Sequence, residues 1–134
     1  MASGNWTTFD VVRAILAHVI DKAQAISAET PVLHGALYDL AKEDKFKPYL
    51  NDFTFEQRGD FPFSREFHTQ LVALEMAGHL SCQNPDFVQY HILPKMKTHF
   101  QKRTKRFFTD EEIADIGVMA DRFALATAPV AATA

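Results

Sequence analysis

Apolar residues recur at three- and four-residue spacing along much of this chain. From Phe9 to Ile26, the residues Val12, Ile15, Leu16, Val19, Ala23 and Ile26 fall on one face, while Arg13, Asp21, Lys22 and Gln24 fall on the other. That period predicts a first helix over 9–26. Thr8 is suited to cap it, and Asp10 complements the positive end of its dipole. Thr30 followed by Pro31 signals a second helix start. Leu33, Leu37 and Leu40 make its stripe, and it should end near Glu43. A third helix opens at Ser64, after the turn Gln57-Arg58-Gly59-Asp60 and the run Phe61-Pro62-Phe63. Phe67, Leu71 and Leu74 face its core, Phe63 is placed to staple onto Phe67 or His68, and Gly78 stops it in a left-handed conformation.

The period then changes. Leu80 to Gln83 and Phe87 to Leu93 flank Asn84-Pro85-Asp86, which predicts a hairpin with a very short wing. Phe53-Thr54-Phe55 has strand propensity and would add an edge strand to that hairpin. Lys95 to Phe107 reads as a loop or a basic helix anchored by Met96, Phe100 and Phe107. Thr109 and Glu112 form a capping box for a last helix that carries Ile113, Ile116, Ala120 and Phe123 on one face. The fold class expected is mainly α with a small β-hairpin or three-stranded sheet, winged-helix-like. A single domain should run over 9–125, between a frayed N-terminus at 1–8 and a disordered tail at 126–134.

Composition narrows this reading. A chain of 134 residues, 47% hydrophobic, suits one domain with a real core. A formal net charge of -3 supplies no global attraction to nucleic acid or anionic membrane. The charge is uneven, however. Lys95, Lys97, Lys102, Arg103, Lys105 and Arg106 occur with no acid among them, so the chain is acidic with one basic stripe. Cys82 is the one cysteine, which excludes an intramolecular disulfide and a multi-cysteine zinc site and fits a reducing cytoplasmic setting. The start, MASGNWTTFD, lacks the basic and apolar regions of a signal peptide. No apolar run approaches the ~20 residues of a membrane span.

Candidate chemistry falls into a few groups. If the third helix is a recognition helix, its first turns offer Arg65, Thr69 and Gln70 to base edges, with His68 beside them. Glu66, Glu75 and a wing without Lys or Arg oppose phosphate, so Lys102, Arg103, Lys105 and Arg106 would have to supply the phosphate contacts. The plainer reading of that stripe is a solvated face balancing an acidic body in a dimer. His79, Cys82 and His91 could converge across the hairpin, but no fourth ligand accompanies them, and no metal or cofactor is expected. Asp110, Glu111 and Glu112 open a helix, which dipole complementarity explains. No catalytic constellation or phosphate-binding loop is recognisable. Aromatics crowd the loops from Phe46 to Phe63, and any left exposed would form an interaction patch.

Two stretches, GDFPFSREFHTQLVALEMAGHL and FTDEEIADIGVMADRF, carry a family resemblance. Together they resemble the Panacea antitoxin family, also described as phage-associated SocA-like proteins, over Phe9 to Ala126. The family's helix-two core is matched in part by LHGALYDLAKE, through Leu37, Tyr38 and Leu40, and its glycine-proline-valine turn is replaced by Gly59-Asp60-Phe61-Pro62. The resemblance implies a winged-helix regulator and a protein-binding, antitoxin-like role. The expectation is a non-enzymatic winged-helix-like regulatory module, with duplex DNA as its candidate partner. The alternative is a protein–protein interaction domain of antitoxin or adaptor type without DNA binding. A homodimer is expected, with the first and last helices as its natural elements by analogy.

Overall fold

The computed structural model describes residues 6–82 and 89–129. The chain runs α1 (Thr8–Val19), β1 (Ala25–Ser27), α2 (Thr30–Ala41), α3 (Lys47–Leu50), β2 (Glu56–Arg58), β3 (Phe61–Phe63), α4 (Arg65–Met76), β4 (Leu80–Cys82), β5 (Gln89–Ile92), α5 (Pro94–His99) and α6 (Asp110–Ala126). A π-helical turn (Phe100–Thr104) and a 3-10 turn (Lys105–Phe107) join α5 to α6. The protein is mainly helical with a small three-stranded antiparallel sheet and a separate two-stranded one, as expected.

The first helix ends earlier than its periodicity predicts. It stops at Val19, and Ala25–Ser27 becomes the strand β1. Ala23 and Ile26 extend the helical period, but Ile26 and Ser27 are buried in a sheet ordered β1-β5-β4. Ile26 lies opposite Tyr90, and the amide of Ile92 donates to the Gln24 carbonyl at 2.8 Å. Tertiary pairing outweighs the local period, which three residues cannot settle. The third strand of this sheet is thus β1 and not Phe53-Thr54-Phe55. The chain turns extended one residue beyond that run, and β2 pairs with β3 across Gly59, whose φ of 57° requires a residue without Cβ strain. Asn84-Pro85-Asp86, the predicted turn between β4 and β5, lies outside the described residues. The succession α1-β1-α2-α4-β4-β5 with this strand order is compatible with a winged helix in which α3 and the β2–β3 hairpin are inserted before α4.

The side-chain caps of α1, α4 and α6 lie where the sequence predicts them or one residue away, whereas Thr30, suited to cap α2, is its first residue and the N-cap position falls on Glu29 with no side-chain cap bond. Thr7 rather than Thr8 caps α1, in a capping box with Asp10. Ser64 caps α4, Thr109 and Glu112 form the box on α6, and Gly78 ends α4 at φ 82°. The charged stretch Asp44 to Pro48, whose closing proline predicts a loop or ragged turn, is a turn as far as Phe46, and its last two residues open the single helical turn α3, whose Tyr49 and Leu50 are buried.

No residue of α1 is exposed. It forms the axis of the core, packed on α6, α5 and α3, with Val11, Leu16, Leu74, Met96, Ile116 and Met119 buried in one cluster. Each such side chain removed from water contributes roughly 1.5–3 kcal/mol before entropy is counted. Only Phe9, Asp10, Arg13 and His18 of α1 keep partial access to solvent, so little of it is available to a second copy. The aromatic loops also turn inward. Phe46, Tyr49, Phe53 and Phe63 are buried, and no aromatic is among the exposed large apolar residues described. Trp6 stacks between Tyr49 and Phe108, with centroids 5.5 and 5.8 Å away, where a frayed end was expected. At the other end Thr127 is buried, and its carbonyl accepts from the Ser27 amide at 2.7 Å, so the tail's first residues extend the fold. Residues 1–5 and 130–134 lie outside the described residues.

Candidate nucleic-acid interface

Two elements bring the candidate residues to the surface: α4 and the segment from α5 to the 3-10 turn. The start of α4 is fixed by a buried polar joint. Ser64 Oγ accepts from the Phe67 amide at 3.3 Å, and the Ser64 amide donates to His34 Nδ1 at 3.0 Å. His34, only 1% exposed, stacks on Phe63 at 4.6 Å and meets the edge of Phe67 at 5.0 Å. Burial first, then the charges of His68 and Arg58, press its pKa down to about 4. Glu66 accepts from the Thr54 amide and hydroxyl at 3.2 and 3.1 Å, which ties the loop before β2 to α4.

The outer face of α4 carries Arg65, Thr69, Val72 and Met76, spaced so that they share one stripe. All four are exposed, Met76 at 84%. Gln70 does not join them. It is half-buried, and its Oε1 is shielded from solvent without a hydrogen-bond partner. The structure therefore brings Arg65 and Thr69 together on the accessible face and separates Gln70 from it. Sequence reasoning missed Val72 and Met76, although their four-residue spacing beside Thr69 on the wet side of α4 was a visible signal.

The basic stripe forms one continuous helical segment whose winding changes twice. Met96, Phe100 and Thr104 are buried beneath it. The wide π turn is held by the Lys105 amide donating to the Phe100 carbonyl, with Thr104 Oγ1 donating to the same carbonyl at 3.3 Å. Tightening to a 3-10 turn then leaves Lys102, Arg103, Lys105 and Arg106 all exposed. Arg106 lies 5.5 Å from the Phe107 ring centre. Among the described residues none of the four has a carboxylate within 4.0 Å, whereas cations elsewhere are neutralised: Lys22 by Asp121 at 3.1 Å, Lys45 by Asp115 at 3.6 Å, Arg122 by Glu43. Lys97 leaves the stripe electrically, paired with Asp21.

The hairpin histidines separate. His91 lies opposite Ser81, and Cys82 opposite Tyr90, so Cys82 and His91 sit on opposite faces of the strand pair. No group of three or more metal-ligating side chains comes together among the described residues. Burial, then Glu75, raises the Cys82 thiol, which disfavours the thiolate. His79 turns instead to His99, with ring centres 5.2 Å apart.

A cleft of about 420 Å³ lies between α3 and the start of α6, lined by Lys45, Pro48, Tyr49, Thr109, Glu111, Glu112 and Asp115. Its acids are largely engaged. Tyr49 donates to Asp115 at 2.7 Å, and Glu112 accepts from Trp6 Nε1 at 3.1 Å and from the Thr109 amide at 2.8 Å. Burial and then the Asp115 carboxylate push the Tyr49 phenol well above its usual range, so it stays protonated. Such a wall repels phosphate. Compared with known proteins, the chain matches no family model, no curated protein and no solved structure.

Proposed function

We propose that this protein is a non-enzymatic, winged-helix-like regulatory module that binds duplex DNA through the face of the segment 102–106. One observation carries the reading. Lys102, Arg103, Lys105 and Arg106 are exposed on one short stretch without acidic partners, in a chain whose other surface cations are mostly paired. Unpaired charge held on a fixed backbone is what phosphate neutralisation and counterion release require. Arg65 and Thr69, at the first turns of α4, are the residues placed to reach base edges, with Gln70 acting from a more enclosed position. A homodimer in this reading would use α6, which exposes Val118 and Leu125, whereas α1 has no exposed residue.

A second reading has its own observation. Val72 and Met76 place apolar surface on the same face of α4, which suits a protein partner of antitoxin or adaptor type better than a phosphate backbone. A salt titration with random duplex DNA separates the two. Under the DNA reading, affinity falls steeply with salt, and replacing Lys102, Arg103, Lys105 and Arg106 with Ala makes the log–log slope shallower by about 3–4, near 0.9 for each phosphate no longer neutralised. Absence of salt-sensitive binding at low salt would overturn it, and an unchanged slope would clear the stripe of a role.

A further inference from the structure

Among the described residues four buried side-chain atoms lack a hydrogen-bond partner: Arg13 Nε, His79 Nδ1, His99 Nδ1 and Gln70 Oε1. Three of these are nitrogens of one cluster. His79 precedes β4 at the base of the hairpin and is 2% exposed. His99 ends α5 and stands 5.2 Å from it, ring centre to ring centre. Arg13 reaches them from α1, with its guanidinium 4.7 Å from the Phe9 ring centre. Buried polar atoms are nearly always satisfied, so three orphans in one place call for a common partner.

The surrounding charge indicates the sign of that partner. Arg13 and Lys95 act on both histidines, and Arg103 acts on His99 as well; the one acid acting on the cluster is Asp10, and it acts on Arg13 and His99. Lys95 is held in place by donating to the Ala77 carbonyl at 3.0 Å. Cations gathered around two imidazoles repel a metal ion and favour an anion. Arg13 Nε–H is a donor at any ordinary pH, and each imidazole becomes one in its Nδ1–H tautomer or when protonated.

We propose that Arg13, His79 and His99 form a seat for a phosphate-type oxyanion at the junction of α1, the α4–β4 corner and α5. The three nitrogens are themselves shielded from solvent, but Arg13 and His99 are only half-buried as residues, so an anion enters by displacement of these two side chains. The oxyanion accepts from Arg13 Nε and from the two Nδ1 atoms and crosslinks α1, the hairpin base and α5. Its negative charge favours protonated imidazole, so binding takes up protons and tightens as pH falls from about 7 towards 5, by up to about tenfold per pH unit for each proton taken up. Free phosphate and a nucleic-acid backbone share this chemistry, and the seat does not depend on the stripe at 102–106 being a DNA-binding face.

The test is a histidine-resolved NMR titration of the whole chain with three additives at matched ionic strength: inorganic phosphate, a short random duplex, and sodium chloride as reference. Inorganic sulfate, whose charge is constant between pH 5 and 7.5, serves for the pH series. Movement of the His79 and His99 ring signals with phosphate alone identifies a small-anion site; movement with the duplex identifies a backbone phosphate as the occupant. Either response should vanish in R13Q and in H99Q, while H68Q, on the exposed side of α4, leaves it intact. Signals that respond to neither additive beyond the chloride reference would overturn the seat. So would sulfate affinity that does not rise as pH falls. Loss of duplex binding in the stripe variant with the phosphate response intact would bear on the DNA reading alone.

Discussion

The joint between His34 and Ser64 makes the stability of this protein pH-dependent in a direction that can be worked out. His34 Nδ1 accepts the Ser64 amide hydrogen, so the ring must be unprotonated at that atom for the α4 cap to form as it does. Burial and nearby positive charge lower its pKa from the ordinary 6.5 to about 4. The folded value lies below the unfolded one, so between them the unfolded chain holds the extra proton. The stabilisation is complete above pH 6.5 and is lost as pH falls towards 4. A drop of that size corresponds to at most about 3 kcal/mol, of which about 2 kcal/mol disappears between pH 7 and 4.5. Solvent hardly dilutes this, because the side chain is 1% exposed.

The informative variant is H34F. A phenyl ring keeps the stacking on Phe63 and Phe67 but cannot accept from Ser64, whose amide is buried. At pH 7 it should cost about 1–3 kcal/mol, the usual penalty for stranding a buried donor. It has no proton to gain, however. Urea unfolding at pH 7 and 4.5 should therefore show the wild type losing its advantage by about 2 kcal/mol, with H34F close to wild type at the lower pH. His79 and His99 also lose favour as pH falls, but they do so in both proteins and cancel in the comparison. A gap between wild type and H34F that is the same at both pH values would refute the reasoning. A direct NMR titration placing His34 at or above 6.5 would do so independently.

Two further substitutions probe features at the chain's ends and corners. W6A removes a ring stacked on Tyr49 and Phe108 together with its bond to Glu112, and should cost about 3 kcal/mol in urea unfolding, the low end for a large aromatic because Trp6 is half-buried; a cost below about 0.5 kcal/mol would show that the N-terminal residues are not part of the fold. G78A forces Cβ into a backbone at φ 82° and should lower stability by about 1–2 kcal/mol, read as a fall in Tm of several degrees, although an added methyl meets only Lys95 at 3.8 Å; an unchanged Tm would show that α4 ends in some other conformation.

What was legible in the sequence was local. Ser64, Gly78, Thr109 and Glu112 act within four residues of themselves, and each does what its type and position predict. The strand β1 was hidden because Ala23 and Ile26 continue a helical period, and only pairing with β5, more than sixty residues away, makes extended backbone preferable at Ala25–Ser27. The inward turn of the aromatic loops was hidden for a related reason. Phe53 meets Phe67 of α4 and Phe46 lies under Arg122 of α6, contacts that no window of sequence contains.

The same distinction separates the two kinds of positive charge in this molecule. The stripe from Lys102 to Arg106 is contiguous and can be read directly, but its availability could not be, because Lys97 in the same run is cancelled by Asp21 from the turn after α1. The π turn at Phe100–Thr104 followed by the 3-10 turn is what keeps the remaining four on the outside while Phe100 and Thr104 stay buried. Arg13, His79 and His99 are the opposite case: isolated in sequence, each unremarkable on its own element, and joined only where α1, the hairpin base and α5 meet. Charge that is exposed and contiguous is suited to a long polyanion whose phosphates are spaced along it. Donors that are enclosed and convergent are suited to a single oxyanion held on several sides. A polyanion lying on the stripe and an oxyanion seated beside α1 would both act on the α5 segment, since His99 and Arg103 belong to that one continuous helix. Occupancy of the seat should then raise duplex affinity if it steadies that helix, and lower it if the bound anion's charge dominates; the sign follows from a duplex titration repeated with and without inorganic phosphate at constant ionic strength.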